Sequence, residues 1–162
     1  MIDWYLLLKW AHILSSTVLF GTGIGTAFQM VWAMRTVRVT GRAETVHSVA
    51  SGVVVADWLF TTPAGVVQPV TGLLLVHLAG FGWGEPWLAL SYAGYALALA
   101  CWVPVVRLQI RIRDLAGAAL AAGAPLPAEA RRLYRLWFAL GWPAFLALVA
   151  VFWLMVAKPA LW

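Results

Sequence analysis

The sequence predicts an all-α protein, a four-helix transmembrane bundle, and two observations carry this prediction. Of the 162 residues, 64% are hydrophobic and only 10% are charged, whereas a soluble domain has roughly 25% charged residues. Four stretches lack Asp, Glu, Lys and Arg, namely residues 10–34, 58–84, 86–106 and 136–157. Each is long enough for the roughly 20 residues that cross a bilayer as a helix. The composition argues against a soluble enzyme, a disordered chain and a disulfide scaffold.

The arginines predict the orientation of the spans. All nine fall in two of the segments between spans: Arg35, Arg38, Arg42, Arg107, Arg111, Arg113, Arg131, Arg132 and Arg135. Because positive loops stay in the cytoplasm, we expect both termini on the periplasmic side of the bacterial inner (cytoplasmic) membrane. The orientation of the spans then explains the net charge of +5. We therefore expect contact with the lipid bilayer and no nucleic-acid partner.

A single integral membrane domain is expected over residues 1–162, with spans at about 4–33, 58–80, 87–107 and 136–157. Residues 45–56 are too few to span a bilayer, so we expect a short interfacial helix there. Residues 108–135, between the third and fourth spans, are expected to form a cytoplasmic loop. Gly21 and Gly25 on the first span form a pair of small residues four apart, which permits close helix packing. Packing within the chain is one interpretation, and a homo-oligomer or partner membrane protein is the other.

The second span begins beside an acid and contains two prolines. Asp57 suits the positive end of the helix dipole, and it is expected to pair with Arg35 or Arg38. Pro63 and Pro69 each remove a helical hydrogen bond, which should free the carbonyls of Leu59 and Gly65. Nearby hydroxyls of Thr61, Thr62 and Thr71 could satisfy them.

Ionisable residues at membrane depth are the natural candidates for function. Counted inward from Trp4 and from Trp83, His12 and His77 lie at depths that agree to within about 3 Å. Two imidazoles at one depth could hold a haem iron or a copper ion, although each could equally hydrogen-bond within the bundle. Lys9 either reaches the outer headgroups or balances a haem propionate or an anionic substrate. His47 is expected at the cytoplasmic interface, in contact with water.

Several stretches resemble known families. The opening Tyr5–His12 (YLLLKWAH) and the glycines that follow it resemble the first helix of HemJ-type protoporphyrinogen oxidases and of CopD-like copper-resistance proteins. The Asp57–Ala64 and Thr71–Leu74 segments and the Trp153–Pro159 ending resemble a small family of predicted integral membrane proteins of unknown function. The HemJ resemblance implies haem b binding at His12, although the third span lacks the further His and Lys of those oxidases. The CopD resemblance implies copper handling.

Three functional hypotheses follow. The first is an inner-membrane haem b protein with an electron-transfer or redox role on a porphyrin- or quinone-like partner. In it His12 is an axial ligand, His77 a possible second ligand and Lys9 a propionate partner. The second is a cofactor-free accessory or scaffold subunit that binds a partner through the Gly21/Gly25 face. The third is a copper or small-solute carrier that uses the proline-broken second span.

Overall fold

A computed structural model describes residues 3–160 and contains four helices long and apolar enough to cross a membrane. The first is α1 (Trp4–Thr40), which begins where the Asp3 carboxylate accepts from the Tyr5 and Leu6 amides. It ends at Gly41, whose φ of 71° a residue with a Cβ rarely adopts. The third and fourth are α4 (Pro86–Ala121) and α5 (Ala128–Ala157). The predicted all-α, four-span class is therefore confirmed.

The second span is a continuous helix over Ala43–Ala79, and not a short interfacial helix followed by a separate span. It consists of α2 (Ala43–Ala56), a π-helical turn at Asp57–Thr61 and α3 (Thr62–Ala79). Val46, Ala50 and Val53 are fully buried, because α2 packs between α1 and α4. Length alone suggested an interfacial helix, but this apolar face is covered by protein.

The arginine-rich segment is also more helical than expected. α4 continues to Ala121, and α5 already begins at Ala128, so residues 122–127 alone separate them. Ile112 and Ala116 of the extended α4 are fully buried against α1 and α2. Packing of these apolar residues explains why the segment expected as a loop over 108–135 is mostly helix.

The packed core lies toward the end of the bundle that carries the arginines. It includes Met30, Ala33, Val46, Ile112 and Ala130, each fully buried. A smaller cluster of Val76, Trp87 and Leu88 lies at the opposite end. Between them, α1 packs mainly on α3 and α4 mainly on α5. This pairing leaves space between the two helix pairs at mid-bundle, where the candidate site is found.

Pro69 illustrates how the irregular second span satisfies its backbone. Pro69 has no N–H for the Gly65 carbonyl, and the sequence correctly predicts that this carbonyl is freed. Its partner is not one of the threonines that the sequence offered. The Tyr95 hydroxyl of α4 donates to the Gly65 carbonyl, and this bond ties α4 to α3.

We expect Tyr95→Phe to lower the free energy of unfolding by about 0.5–1.5 kcal/mol, since it leaves the Gly65 carbonyl unpaired. In a Pro69→Ala background the restored N–H can bond Gly65, so the same change should cost less. Unfolding of the purified protein in detergent measures both, with the exposed Tyr92→Phe as the matched control. Equal costs in both backgrounds would contradict this assignment.

Candidate functional site

The His12 side chain lies between α1 and α3, where four side chains form a hydrogen-bonded chain. His12 Nδ1 is 2.9 Å from Thr71 Oγ1, and Gln68 Nε2 is 3.1 Å from His12 Nε2. Thr71 donates its hydroxyl proton to the Val67 carbonyl, so it accepts from His12 Nδ1–H. His12 is therefore the Nδ1–H tautomer, and its Nε2 lone pair accepts from Gln68. Ser15 in turn donates to Gln68 Oε1.

The structure does not bring His77 to His12. Besides Gln68 and Thr71, the α3 residue in contact with the His12 ring is Gly72, where an added Cβ would lie 3.1 Å from His12 Cε1. His77 lies five residues beyond Gly72, about 7.5 Å further along the helix axis, and its side chain is exposed. Depths counted from boundary tryptophans did not fix the register of α1 against α3. The Lys9 ammonium lies over the Tyr5 ring, 5.8 Å from its centroid, one turn back toward the N-terminus.

Two other sequence expectations need correction. His47 is half-buried and its Nδ1–H donates to the Arg113 carbonyl at 3.1 Å, because α2 packs closely on Gly117 of α4. Gly21 and Gly25 do not serve helix packing within the chain, since a Cβ at either would have no atom within 4 Å.

Among residues 3–160, no group of three or more His, Cys, Asp or Glu side chains could hold a metal ion.

A large cavity lies elsewhere, between all four spans. Its volume is about 900 Å³, near the upper end of the roughly 300–1,000 Å³ typical of small-molecule sites. Gly23 of α1, Gly65 of α3 and Gly141 of α5 line it and leave room for a ligand. Its wall is mostly apolar and rich in aromatic rings, which include Phe20, Tyr95, Trp102, Trp137, Trp142 and Phe145.

A small set of buried polar side chains occupies one part of this wall. Asp57 is only 4% exposed, and its Oδ1 accepts from Thr61 Oγ1 at 2.8 Å. Gln109 and Trp102 lie beside the carboxyl group, although neither makes a hydrogen bond of standard geometry with it. The expected ion pair of Asp57 with Arg35 or Arg38 is not formed. Within residues 3–160 the ion pairs are Arg111–Glu129 and Arg113–Asp114.

Four buried polar atoms in the described part of the chain have no hydrogen-bond partner, and their residues all line this cavity. They are two acceptors and two donors: Asp57 Oδ2, Gln109 Oε1, Trp102 Nε1 and Trp137 Nε1. Because an unpaired buried polar atom costs about 1–3 kcal/mol, four such atoms at one place make this part of the cavity the candidate binding site. The sequence alone does not reveal this site, because its four residues lie on three different spans and only the fold brings them together.

The π-helical turn presents Asp57 to the cavity wall. The turn holds one extra residue, and the Asp57 carbonyl accepts from both the backbone N–H and the hydroxyl of Thr62. Pro63 follows directly, and its missing N–H favours such an irregular turn. π-Helical turns occur frequently at functional sites. The backbone around Asp57 is therefore satisfied, while one carboxylate oxygen of its side chain is not.

Comparison with known families decides where the chain belongs. A family model described as predicted integral membrane protein, DUF2269, matches residues 6–159, which include all four spans and both groups of polar side chains. The chain belongs to the DUF2269 family. No curated protein and no solved structure matches it. The resemblance to a family of predicted integral membrane proteins is thus confirmed, and the likeness to HemJ-type and CopD-like proteins stays a prediction.

This DUF2269 protein is a multi-pass integral membrane protein with four apolar spanning helices. Its two groups of buried polar side chains differ in kind. Around His12, each polar group has a partner, as in a contact that joins two helices. Around Asp57, acceptors and donors remain unpaired beside a large cavity. A ligand is therefore better accommodated beside Asp57 than beside His12.

Proposed function

We propose that this DUF2269 protein binds a flat, largely apolar aromatic ligand of the quinone-like class in the cavity between its four spans. The volume of about 900 Å³ and the aromatic wall support this proposal, since rings stack favourably on aromatic side chains. Such a ligand reaches the site from the bilayer, as its solubility requires.

The observation that carries the proposal is the set of four unpaired polar atoms beside the cavity. Small-molecule sites are mostly apolar, with a few polar groups that fix the orientation of the ligand. A quinone-like ring, oxidised or reduced, has apolar faces and a few polar atoms on its edge, which matches a mostly apolar wall with polar groups in one part of it. A lipid acyl chain would fill the apolar part of the cavity but would leave the polar atoms unpaired.

Fluorescence titration tests this proposal. The protein, reconstituted in nanodiscs, is titrated with a short-chain benzoquinone, and the emission of the tryptophans is followed. Trp102, Trp137 and Trp142 line the cavity, so we expect saturable quenching with a 1:1 stoichiometry. Nanodiscs that contain a single-span peptide with a tryptophan are the control, in which quenching should rise without saturation. The same unsaturated quenching in the protein would mean that the quinone only partitions into lipid, and would contradict the proposal.

Haem b at His12 is a second candidate, and the tautomer of His12 favours it. Haem-ligating histidines usually donate one ring N–H to the protein and direct the other nitrogen at the iron. Here Nδ1–H bonds Thr71, and Nε2 is the nitrogen that carries the lone pair. As arranged, Gln68 occupies Nε2, so ligation requires that Gln68 turn away. His77 is exposed and lies about 7.5 Å beyond Gly72 along the helix axis, so its position does not support a second-ligand role. Lys9 lies three residues before His12 on α1, and its propionate role stays a prediction.

A visible spectrum tests the haem candidate. Protein purified from haem-replete cells should show a Soret band, which His12→Ala abolishes and Gln68→Ala strengthens, since the latter removes the competing donor. No Soret band in any of the three proteins would overturn haem b binding. A band that persists in His12→Ala would place the ligand at another residue.

We also propose that the arginine-bearing end faces the cytoplasm of a bacterial cell and that both termini face the periplasm. The positive-inside rule supports this orientation, because the second halves of α1 and α4 and the start of α5 carry eight of the nine arginines, and the ninth, Arg42, lies between α1 and α2 at the same end. At the opposite end, the Lys158 ammonium lies 4.5 Å from the Phe81 ring centroid. Labelling of single cysteines at each end in intact cells, in a Cys101→Ala background, tests the orientation.

A further inference from the structure

The unpaired atoms beside the cavity include both hydrogen-bond donors and acceptors, and this combination narrows the class of ligand. Asp57 Oδ2 and Gln109 Oε1 can accept a hydrogen bond, whereas Trp102 Nε1 can only donate one. A quinone carbonyl can only accept, so it would satisfy an indole N–H but neither of the two acceptors. A hydroxyl group both donates and accepts. It can therefore satisfy one atom of each kind at once.

On these grounds we propose that the site selects a hydroxyl-bearing ring, the quinol or phenol class, and that Asp57 is the residue that recognises the hydroxyl. This inference rests on the proposed function and concerns which form of the ligand is bound. The Asp57 carboxylate is 4% exposed and has no cation within ion-pairing distance among residues 3–160. A buried carboxylate in this setting gains from a hydrogen-bond donor supplied by the ligand.

The geometry around Asp57 favours this role over a purely structural one. Oδ1 is already held by Thr61 Oγ1, four residues later on the same helix, which fixes the carboxylate plane. The backbone carbonyl is bonded by Thr62. Oδ2 makes no hydrogen bond of standard geometry, although Gln109 and Trp102 from α4 lie beside the carboxyl group. Because both atoms are buried, a ligand hydroxyl that donates to Oδ2 and accepts from Trp102 Nε1 must insert between the carboxyl group and the indole ring as their side chains turn toward the cavity.

Isothermal titration of the nanodisc-embedded protein with one short-chain benzoquinone, in its oxidised form and anaerobically in its reduced form, tests the inference. We expect the reduced form to bind about tenfold or more tightly, the ratio that about 1.4 kcal/mol of extra hydrogen bonding gives. In Asp57→Asn the amide can present a donor to the ligand, so the preference should vanish or reverse. Ser91→Ala, which removes a buried hydroxyl bonded to the Trp87 carbonyl outside the cavity, should keep the preference.

The outcomes separate this inference from the proposed function. If neither form binds saturably, the proposed function fails. If both forms bind with equal affinity to the unmodified protein, the cavity is a ligand site, but the selection by Asp57 is overturned. A preference that survives unchanged in Asp57→Asn also overturns it. Should Asp57→Asn not fold, Asp57→Leu removes the carboxylate acceptor at similar volume, and the same ratio must fall for the inference to stand.

Discussion

Gly94→Leu is expected to prevent the packing of α4 on α5 and to leave little folded protein after purification. A Cβ at Gly94 would lie 2.8 Å from Val151 Cγ2 and 3.6 Å from the Ala147 carbonyl oxygen. Real Cβ atoms essentially never approach another heavy atom to 2.8 Å, so even Gly94→Ala requires Val151 to shift. Overpacking of this kind costs about 1–3 kcal/mol, and a leucine adds three further carbon atoms.

Thermal unfolding in detergent measures the effect of both changes at Gly94. The matched control is Gly21→Leu on α1, where a Cβ meets no atom within 4 Å, so its melting temperature should stay near that of the unmodified protein. A Gly94→Leu protein that melts like the control would show that α4 and α5 do not approach as closely as described.

Gly141→Phe is expected to abolish saturable quinone binding while the protein remains folded. Gly141 lies at the centre of the α5 face that lines the cavity, a face that also includes Trp137, Phe145 and Leu148. A Cβ at Gly141 meets nothing within 4 Å, so a phenyl ring can enter the cavity without a backbone shift. Because that ring takes the space of the ligand ring, we expect affinity to fall by at least a hundredfold, or about 2.7 kcal/mol.

The same fluorescence titration measures the loss of quinone affinity, and thermal unfolding shows whether Gly141→Phe still folds. Gly25→Phe serves as the control, since Gly25 is exposed and is not among the residues that line the cavity. Quinone binding that is equally strong in Gly141→Phe and Gly25→Phe would exclude the cavity as the binding site.

Much of the fold can be predicted from the sequence, because the four charge-free stretches and the length that a bilayer requires leave few alternatives. Where the helices end is less predictable. Residues 45–56 are too few to span a membrane, yet α2 continues directly into the π-helical turn and α3. The helix continues because Ala50 and Val53 are buried against neighbouring helices. This tertiary packing cannot be recognised from the local sequence.

The site was harder to predict than the fold, since depth in the membrane does not tell which way a side chain faces. The depths of His12 and His77 match by count, but His12 contacts Gln68, Thr71 and Gly72. Asp57 and Gln109 come together from different helices, and their proximity cannot be predicted because they are far apart in the sequence. One signal was available: Trp102 and Gln109 are seven residues apart, two helical turns, and so share one face of α4.

The central claim is that a ring-shaped ligand occupies the cavity beside Asp57, and photoaffinity labelling tests it most directly. A benzoquinone that carries a diazirine is photolysed with the protein in nanodiscs, and the labelled residues are identified by mass spectrometry. We predict labels on cavity-lining residues of α1, α4 and α5, such as Phe20, Trp102 and Trp142, that excess unlabelled quinone removes. Labels confined to bilayer-facing residues such as Trp153, and unaffected by the competitor, would contradict the account.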